Sequence, residues 1–324
     1  MNILIIDIGT SSIRGILYDE AGQNLAFVQL KYEPVKRACG WVEQSSGQWE
    51  KYAEEICRKI KDMAERKNKV IDAVAVTAQR SSVIPVDING NPLMDTIMWQ
   101  DTRNSQICSR LEKYNRIITE KSGAKVNTVF SGSRMTWIKE NCPDVNRKVY
   151  KFLNIPEYIM YKMTGRFFTD YTYGSRTGLM NLKEKEWDSE LLEIFGVKEE
   201  QLCRLLQPGS IVGWVTEAFS AKSGITKGIP VISAGGDQQC AAVGQGAFDI
   251  GTVSVVTGTG GFLVTTLEQV PEQMSENIIC NCAAVKDKYI IEANVLTCCS
   301  AFDWFCRTFY DWTDGQIDYT RINH

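Results

Sequence analysis

The chain has 324 residues, with 36 Lys and Arg against 39 Asp and Glu and a formal net charge of −3. The near balance leaves no electrostatic footprint for nucleic acid or an anionic membrane. Hydrophobic content of 44% and charged content of 23% are those of a globular protein with room for two domains, and no apolar run of about 18 residues exists to span a bilayer. From the N-terminus, residues 3–6 and 13–18 read as strands joined by the polar connection Asp7-Ile8-Gly9-Thr10-Ser11-Ser12, a hairpin rather than a strand–helix unit. Residues 25–30 form a third strand. Trp49, Ala53, Ile56, Ile60 and Met63 recur at helical spacing, with Ser45 or Ser46 placed to cap the helix. Strands follow at 70–77 and 82–86, separated by Ala78-Gln79-Arg80-Ser81, and Ile107, Leu111, Tyr114 and Ile118 predict one amphipathic helix. Residues 149–153 read as a strand and 156–163 as a helix entered through Pro156. A buried strand at 230–234 runs into Gly235-Gly236-Asp237 and a helix over 238–246, after which the glycines of 244–251 suggest a hinge. Strands at 253–257 and 262–265 and a helix at 296–309 complete the pattern. The alternation predicts an α/β domain from residue 1 to about 248, followed by a piece short for a complete domain.

The single histidine is His324, the last residue. A Ser-His-Asp triad, a HExxH zinc site and a catalytic imidazole are therefore disfavoured, and acid–base work falls to carboxylates, Lys, Tyr or Cys. The eleven cysteines are scattered without a CxxC pair, the usage of free thiols in a reducing cytoplasm, with a metal site as the lesser alternative. The N-terminus MNILIID lacks the basic start of a secretory signal.

Three segments carry candidate chemistry. In the first loop Gly9 admits close approach to a phosphate, Thr10 and Ser11 offer amides and hydroxyls, Arg14 adds charge, and Asp7 is placed to hold a hydrated Mg²⁺; an ordinary polar turn uses the same residues. Asp237 follows two glycines at a strand end and a helix start, where a carboxylate can take the proton of an attacking alcohol; a plain helix cap is the commoner use of such an Asp. Gln79-Arg80-Ser81 with Trp99-Gln100-Asp101-x-Arg103 offers a stacking face and a fork of donors for a polyhydroxylated ligand, against the ordinary alternative of a core Trp with surface ion pairs. The strand–turn–strand pattern of the first loop returns at Thr257-Gly258-Thr259-Gly260-Gly261, which suggests two lobes facing one ligand.

Taken in order, Asp7-Ile8-Gly9-Thr10, Gly40-Trp41-Val42-Glu43-Gln44, Gln79-Arg80, Trp99-Gln100-Asp101-Thr102-Arg103, Phe130-Ser131-Gly132, Thr169-Asp170-Tyr171, Ser175-Arg176-Thr177-Gly178, Gly235-Gly236-Asp237-Gln238-Gln239 and Thr257-Gly258-Thr259-Gly260 resemble the FGGY carbohydrate kinases, from residue 1 to at least 265. The resemblance implies an actin-like (ribonuclease H-like) ATPase fold of the α/β class. It implies a complete N-terminal, sugar-binding and first phosphate lobe over 1–248, and the first part of a similar C-terminal, nucleotide-binding lobe over 249–324. The late glycine-rich adenosine motif of that lobe is absent, so the resemblance is to a C-terminally truncated member.

The implied reaction is ATP-dependent phosphorylation of a hydroxyl of a sugar, sugar acid or polyol, with Mg²⁺. Asp237 is implied as the base. Gln79, Arg80, Trp99, Asp237 and Gln238 are implied as substrate contacts. Gly9, Thr10, Ser11, Arg14, Thr259 and Gly260 are implied at the ATP phosphates, and Asp7 at the metal. Glycerol kinases carry Glu where this chain has Ser81 and Tyr where it has Val129, so a roomier pocket and a larger substrate are expected. Xylulokinases usually carry Gln-Met-His at residues 79–81, so xylulose is not singled out either. A cytoplasmic protein with a small-molecule partner, no nucleic acid and no membrane is expected, and a homodimer stays open. Two further readings stay open beside the kinase: a non-catalytic carbohydrate-binding remnant, motivated by the absent adenosine motif, and an actin-like ATPase without a sugar substrate, disfavoured by Arg80, Trp99 and the Gly-Gly-Asp-Gln-Gln segment. Trp304, Phe305, Phe309 and Trp312 are expected to present apolar surface.

Overall fold

The first strands of the computed structural model, which describes residues 1–257, 261–274, 278–295 and 297–309, form an antiparallel meander. β1 (Asn2–Ile8), β2 (Ser12–Asp19) and β3 (Asn24–Lys31) pair so that Ile6 faces Gly15 and Asp7 faces Arg14. Leu4, Ile6 and Ile8 are fully buried, so period-two alternation commits one face of β1 to the core. α1 (Ser46–Glu65) lays Trp49, Ala53, Ile56 and Ile60 in the same core. Contact is close enough that a Cβ on Gly15 would stand 2.1 Å from Ile56 Cγ2. Ser45 takes the N-cap position, although its hydroxyl makes no capping bond.

β4 (Ala73–Ala78) is buried along its length and runs parallel to β1. α2 (Ser105–Leu111), α3 (Asn115–Ser122) and α4 (Ser131–Asn141) build a second core around Ile107, Leu111, Ile118 and Ile138. The single helix expected through Ile107 and Ile118 is therefore two. A 3-10 turn over Glu112–Tyr114 separates them, and Asn115 Oδ1 accepts the Val126 N–H at 2.8 Å, tying the start of α3 to the chain that returns beyond it. α5 (Ile155–Thr164) enters through a capping box of Asn154 and Glu157 and packs Ile155, Tyr158 and Ile159 into the main core. β5 (Ile211–Trp214) and β6 (Pro230–Gly236) complete the sheet, and α6 (Asp237–Gly244) follows at once. The sheet order is β5-β6-β4-β1-β2-β3, with β6 and β4 parallel to β1. Three antiparallel strands and two strands parallel to the first make this a mixed sheet.

Past residue 251, β7 (Val253–Thr257), β8 (Gly261–Leu267), β9 (Ile279–Cys282) and β10 (Tyr289–Val295) make an antiparallel sheet in the order β7-β8-β10-β9, followed by α7 (Cys299–Phe309). This sheet docks on the first lobe. Ala242 and Ala247 meet Val264, Ala283 and Ile290, while Met180 and Leu182 meet Cys280, Cys282 and Tyr289. All eleven cysteines are free thiols, and among the described residues no helix is long and apolar enough to cross a membrane. The helix expected over 296–309 starts at Cys299; residue 296 and Trp312 lie outside the described residues.

Candidate functional site

The parallel register assembles the site. Asp7, Thr77 and Gly235 lie in one row across β1, β4 and β6, and Ile8, Ala78 and Gly236 lie in the next. With neighbouring strands about 5 Å apart, the segments 9–11, 79–81 and 237–238 leave the sheet side by side at the carboxyl ends of parallel strands. That edge is where such sheets hold ligands.

In the first loop the Gly9 N–H donates to Ser12 O at 2.9 Å. A Cβ on Gly9 would meet only Ser12 O, at an ordinary 3.4 Å, so the chain itself does not demand glycine there. Thr10 Oγ1 accepts from Trp99 Nε1 at 3.1 Å and donates to Gln79 Oε1 at 3.0 Å, and Gln79 Nε2 donates to Gly9 O at 3.3 Å. Gln79 and Trp99, expected at the substrate, thus clasp the first loop with their polar atoms. Arg14, expected at the phosphates, donates to Asp7 Oδ2 at 3.2 Å. Burial raises the Asp7 pKa, with Arg14 pulling the other way. Ser11 is exposed.

Asp237 is the first residue of α6, and Gly236 holds the N-cap position. Its Oδ1 accepts the Gln238 N–H at 2.8 Å and lies 3.4 Å from Arg80 Nε. It is therefore not the plain helix cap of the alternative reading. Side chains brace the turn before it. Gly235 O accepts from Thr77 Oγ1 at 2.8 Å, with the Tyr173 hydroxyl 2.9 Å away, and the Gly236 N–H donates to Thr172 Oγ1 at 2.8 Å. Asp170 in turn accepts from Thr172 and Ser233. Gly235 has φ +108°, and a Cβ on Gly236 would come within 2.7 Å of Arg80 Cδ, so both glycines are required by the backbone and by the arginine crossing it. Burial raises the Asp237 pKa and Arg80 opposes the rise.

The far end of Arg80 meets a partner that sequence reasoning missed. Glu292 of β10 accepts from both terminal nitrogens of Arg80, with Nη2–Oε2 at 3.1 Å, and Arg176 Nη1 approaches the same carboxylate at 3.3 Å. Arg176 also lies over the Phe130 ring at 4.6 Å. All three side chains are buried. Burial pushes the Glu292 carboxyl up, but the two guanidiniums outweigh it and its pKa falls below the usual range. The one available signal was a lone acid in the apolar strand YIIEANV.

Arg134 of α4 was also missed. Fully buried, it donates to the carbonyls of Ser81, Val129, Trp99 and Asp101, pinning three chain segments at once, and burial lowers its pKa to about 10. Arg103 is structural: it pairs with Asp101 and Glu43 and stacks on Trp41 at 4.0 Å. Ser81 has φ +71°. Beside Arg80, Trp99 and Asp237 respectively, Ser81 Oγ, Gln100 Oε1 and Gln238 Oε1 are buried without a protein partner. Among the described residues no group of three His, Cys, Asp or Glu side chains could hold a metal. A single strand-end carboxylate such as Asp7 does suit Mg²⁺, which completes its shell with water and phosphate oxygens. Thr259 and Gly260 lie outside the described residues; their flanks, Thr257 and Gly261, pair across the hairpin of β7 and β8.

A family model described as the FGGY family of carbohydrate kinases, N-terminal domain, matches residues 2–244. A glycerol kinase of Thermococcus onnurineus is 33% identical over 311 residues, covering 93% of this chain and 62% of the relative. A xylulose kinase of Bacillus subtilis is 26% identical, with 95% of this chain and 62% of the relative covered. The crystal structure of gluconate kinase from Lactobacillus acidophilus matches with a TM-score of 0.89 at 27% identity, over 96% of this chain and 63% of that one. This chain therefore spans about 62% of the length of the curated relatives it matches.

Proposed function

The chain belongs to the FGGY family of carbohydrate kinases, and on that premise we propose that it serves the transfer of a phosphoryl group from ATP to a hydroxyl of a sugar, sugar acid or polyol. The observation that carries this reading is the convergence of the Asp7 loop, the Arg80 loop and Asp237 on one edge of three parallel strands. Asp237 is the base: it takes the hydroxyl proton as oxygen attacks phosphorus, and its neighbour Arg80 favours the carboxylate against the effect of burial. Ser81 Oγ, Gln100 Oε1 and Gln238 Oε1 receive substrate hydroxyls, since each is buried and otherwise unpartnered. Arg80 and Trp99 wall the pocket, while Gln79 and Trp99 hold Thr10 in place for phosphate. The Thr10 amide and the Ser11 amide and hydroxyl donate to phosphate oxygens, and Gly9, whose own N–H is held by Ser12 O and which the chain itself does not require, leaves room for them. Asp7 would hold Mg²⁺, which when bound would neutralise charge on the phosphates, and Arg14, paired with Asp7, adds positive charge beside the same anions.

Residues 1–248 are the sugar-binding and first phosphate lobe, and residues 249–324 belong to the nucleotide side, with Thr259 and Gly260 assigned to the ATP phosphates. Ser81 and Val129 favour a substrate larger than glycerol. A panel of glycerol, ketopentoses, pentitols and aldonates with Mg-ATP, read by ADP release, is the test. Turnover of one of the larger compounds above glycerol is expected. Glycerol as the best substrate would remove the pocket-size argument, and absence of turnover across the panel would remove the reading for this chain.

A further inference from the structure

We infer that Glu292 sets the substrate class: by neutralising Arg80 and Arg176 from the second sheet, it tunes the pocket for an uncharged polyhydroxy compound rather than a sugar acid. The inference rests on the carbohydrate-kinase reading and narrows it. A carboxylate moved from water into a closed site is costly unless a cation meets it. Each arginine described at this edge already has a counter-charge or carbonyl acceptors for its terminal nitrogens. Arg80 is gripped at both ends, by Glu292 and by Asp237. Arg176 shares Glu292. Arg14 is paired with Asp7, Arg103 with Asp101 and Glu43, and Arg134 donates to four carbonyls. Arg80 and Arg176 against Glu292 and ionised Asp237 leave the pocket floor neutral. An anionic substrate would add a second negative charge beside Asp237.

The groups acting on Asp237 are Arg80 after β4, Asp7 on β1, Glu292 on β10, and Arg176, Tyr173 and Cys240. Beside the Gln238 N–H, only the two arginines favour its ionised form, and Glu292 holds both. The polar atoms left open, Ser81 Oγ, Gln100 Oε1, Gln238 Oε1 and the Arg176 Nε–H, suit hydroxyl groups.

The test compares ligands that share a carbon skeleton and differ in charge at one end: D-glucitol with D-gluconate and xylitol with D-xylonate, with D-xylulose and D-ribulose added to the neutral panel. Binding is measured by isothermal titration on the full chain. The wild type is expected to prefer the neutral ligands by about tenfold or more, the equivalent of about 1.4 kcal/mol. Glu292→Gln leaves an excess positive charge and is expected to erase or reverse that preference. Glu292→Gln combined with Arg176→Gln restores the balance and should keep it, which a merely structural role for Glu292 would not produce. Because the single variant removes one partner of a buried ion pair and risks misfolding, the wild-type comparison decides by itself. Aldonates binding as tightly as their neutral counterparts would overturn this inference and leave the kinase reading standing. Failure of both panels to bind would overturn the kinase reading, and this inference with it.

Discussion

Asp237 is held between two opposed effects. Burial favours its neutral form, whereas Arg80, 3.4 Å away through Nε, favours the carboxylate. Because burial wins, the carboxyl titrates above the ordinary aspartate range, and the ionised base is lost as pH falls through that raised value. The acid limb of the turnover profile is therefore expected at higher pH than a solvated aspartate would give. Asp237→Asn preserves shape but cannot take a proton, and it should lower turnover by about 10²–10⁴-fold with sugar affinity largely kept. Steady-state kinetics across pH for both proteins would check this. An Asn variant within a few-fold of wild type, with the same acid limb, would end the assignment of Asp237 as base.

At the scale of elements, the seating of α1 on the sheet depends on the absence of a side chain at Gly15. A Cβ there would press into Ile56 of α1 at 2.1 Å, so Gly15→Ala is expected to destabilise by about 1–3 kcal/mol through overpacking. Gly47, in the first turn of α1, is a contrasting site: a Cβ would meet only Ser45 Oγ, at 3.8 Å. Gly47→Ala should instead stabilise by up to about 1 kcal/mol through helix propensity. Urea denaturation of the pair measures both signs, and equal effects would refute the packing account. The same scale explains where sequence periodicity misled. Ile107, Leu111 and Ile118 share a core, which one continuous helix would also satisfy, but the 3-10 turn and the Asn115–Val126 bond divide it.

For the whole molecule, the second sheet has one covered face and one open one. Glu292, Val264 and Ile290 are buried, whereas Val253, Val255, Leu263 and Val295 are 52%, 55%, 38% and 50% exposed. Val255 pairs with Leu263, and Leu263 with Ala293, so these side chains share the open face. Trp304 and Phe309 of α7 are likewise exposed, with their rings in edge contact. Apolar surface of this kind drives association. The 324-residue chain is expected to self-associate as concentration rises, and the double variant Val255→Lys, Leu263→Lys to do so less. Sedimentation velocity over a wide concentration range decides; a wild type that stays monomeric throughout would contradict the expectation.

Local features were legible in the sequence because local physics makes them. Apolar runs marked β1 and β2, turn chemistry marked the Gly9 loop, and Gly235-Gly236 before an acid marked the start of α6. The ordered motifs carried the family from Asp7 to the Thr257 hairpin. Tertiary structure alone chose the partners. Parallel register put Asp7, Thr77 and Gly235 in one row, Arg134 took the carbonyls of three separate segments, and Glu292 found Arg80 across 212 positions of chain. A glutamate in an apolar strand says that some cation must meet it when buried. Which cation does so depends on how two sheets pack, and periodicity within one strand holds no information about that.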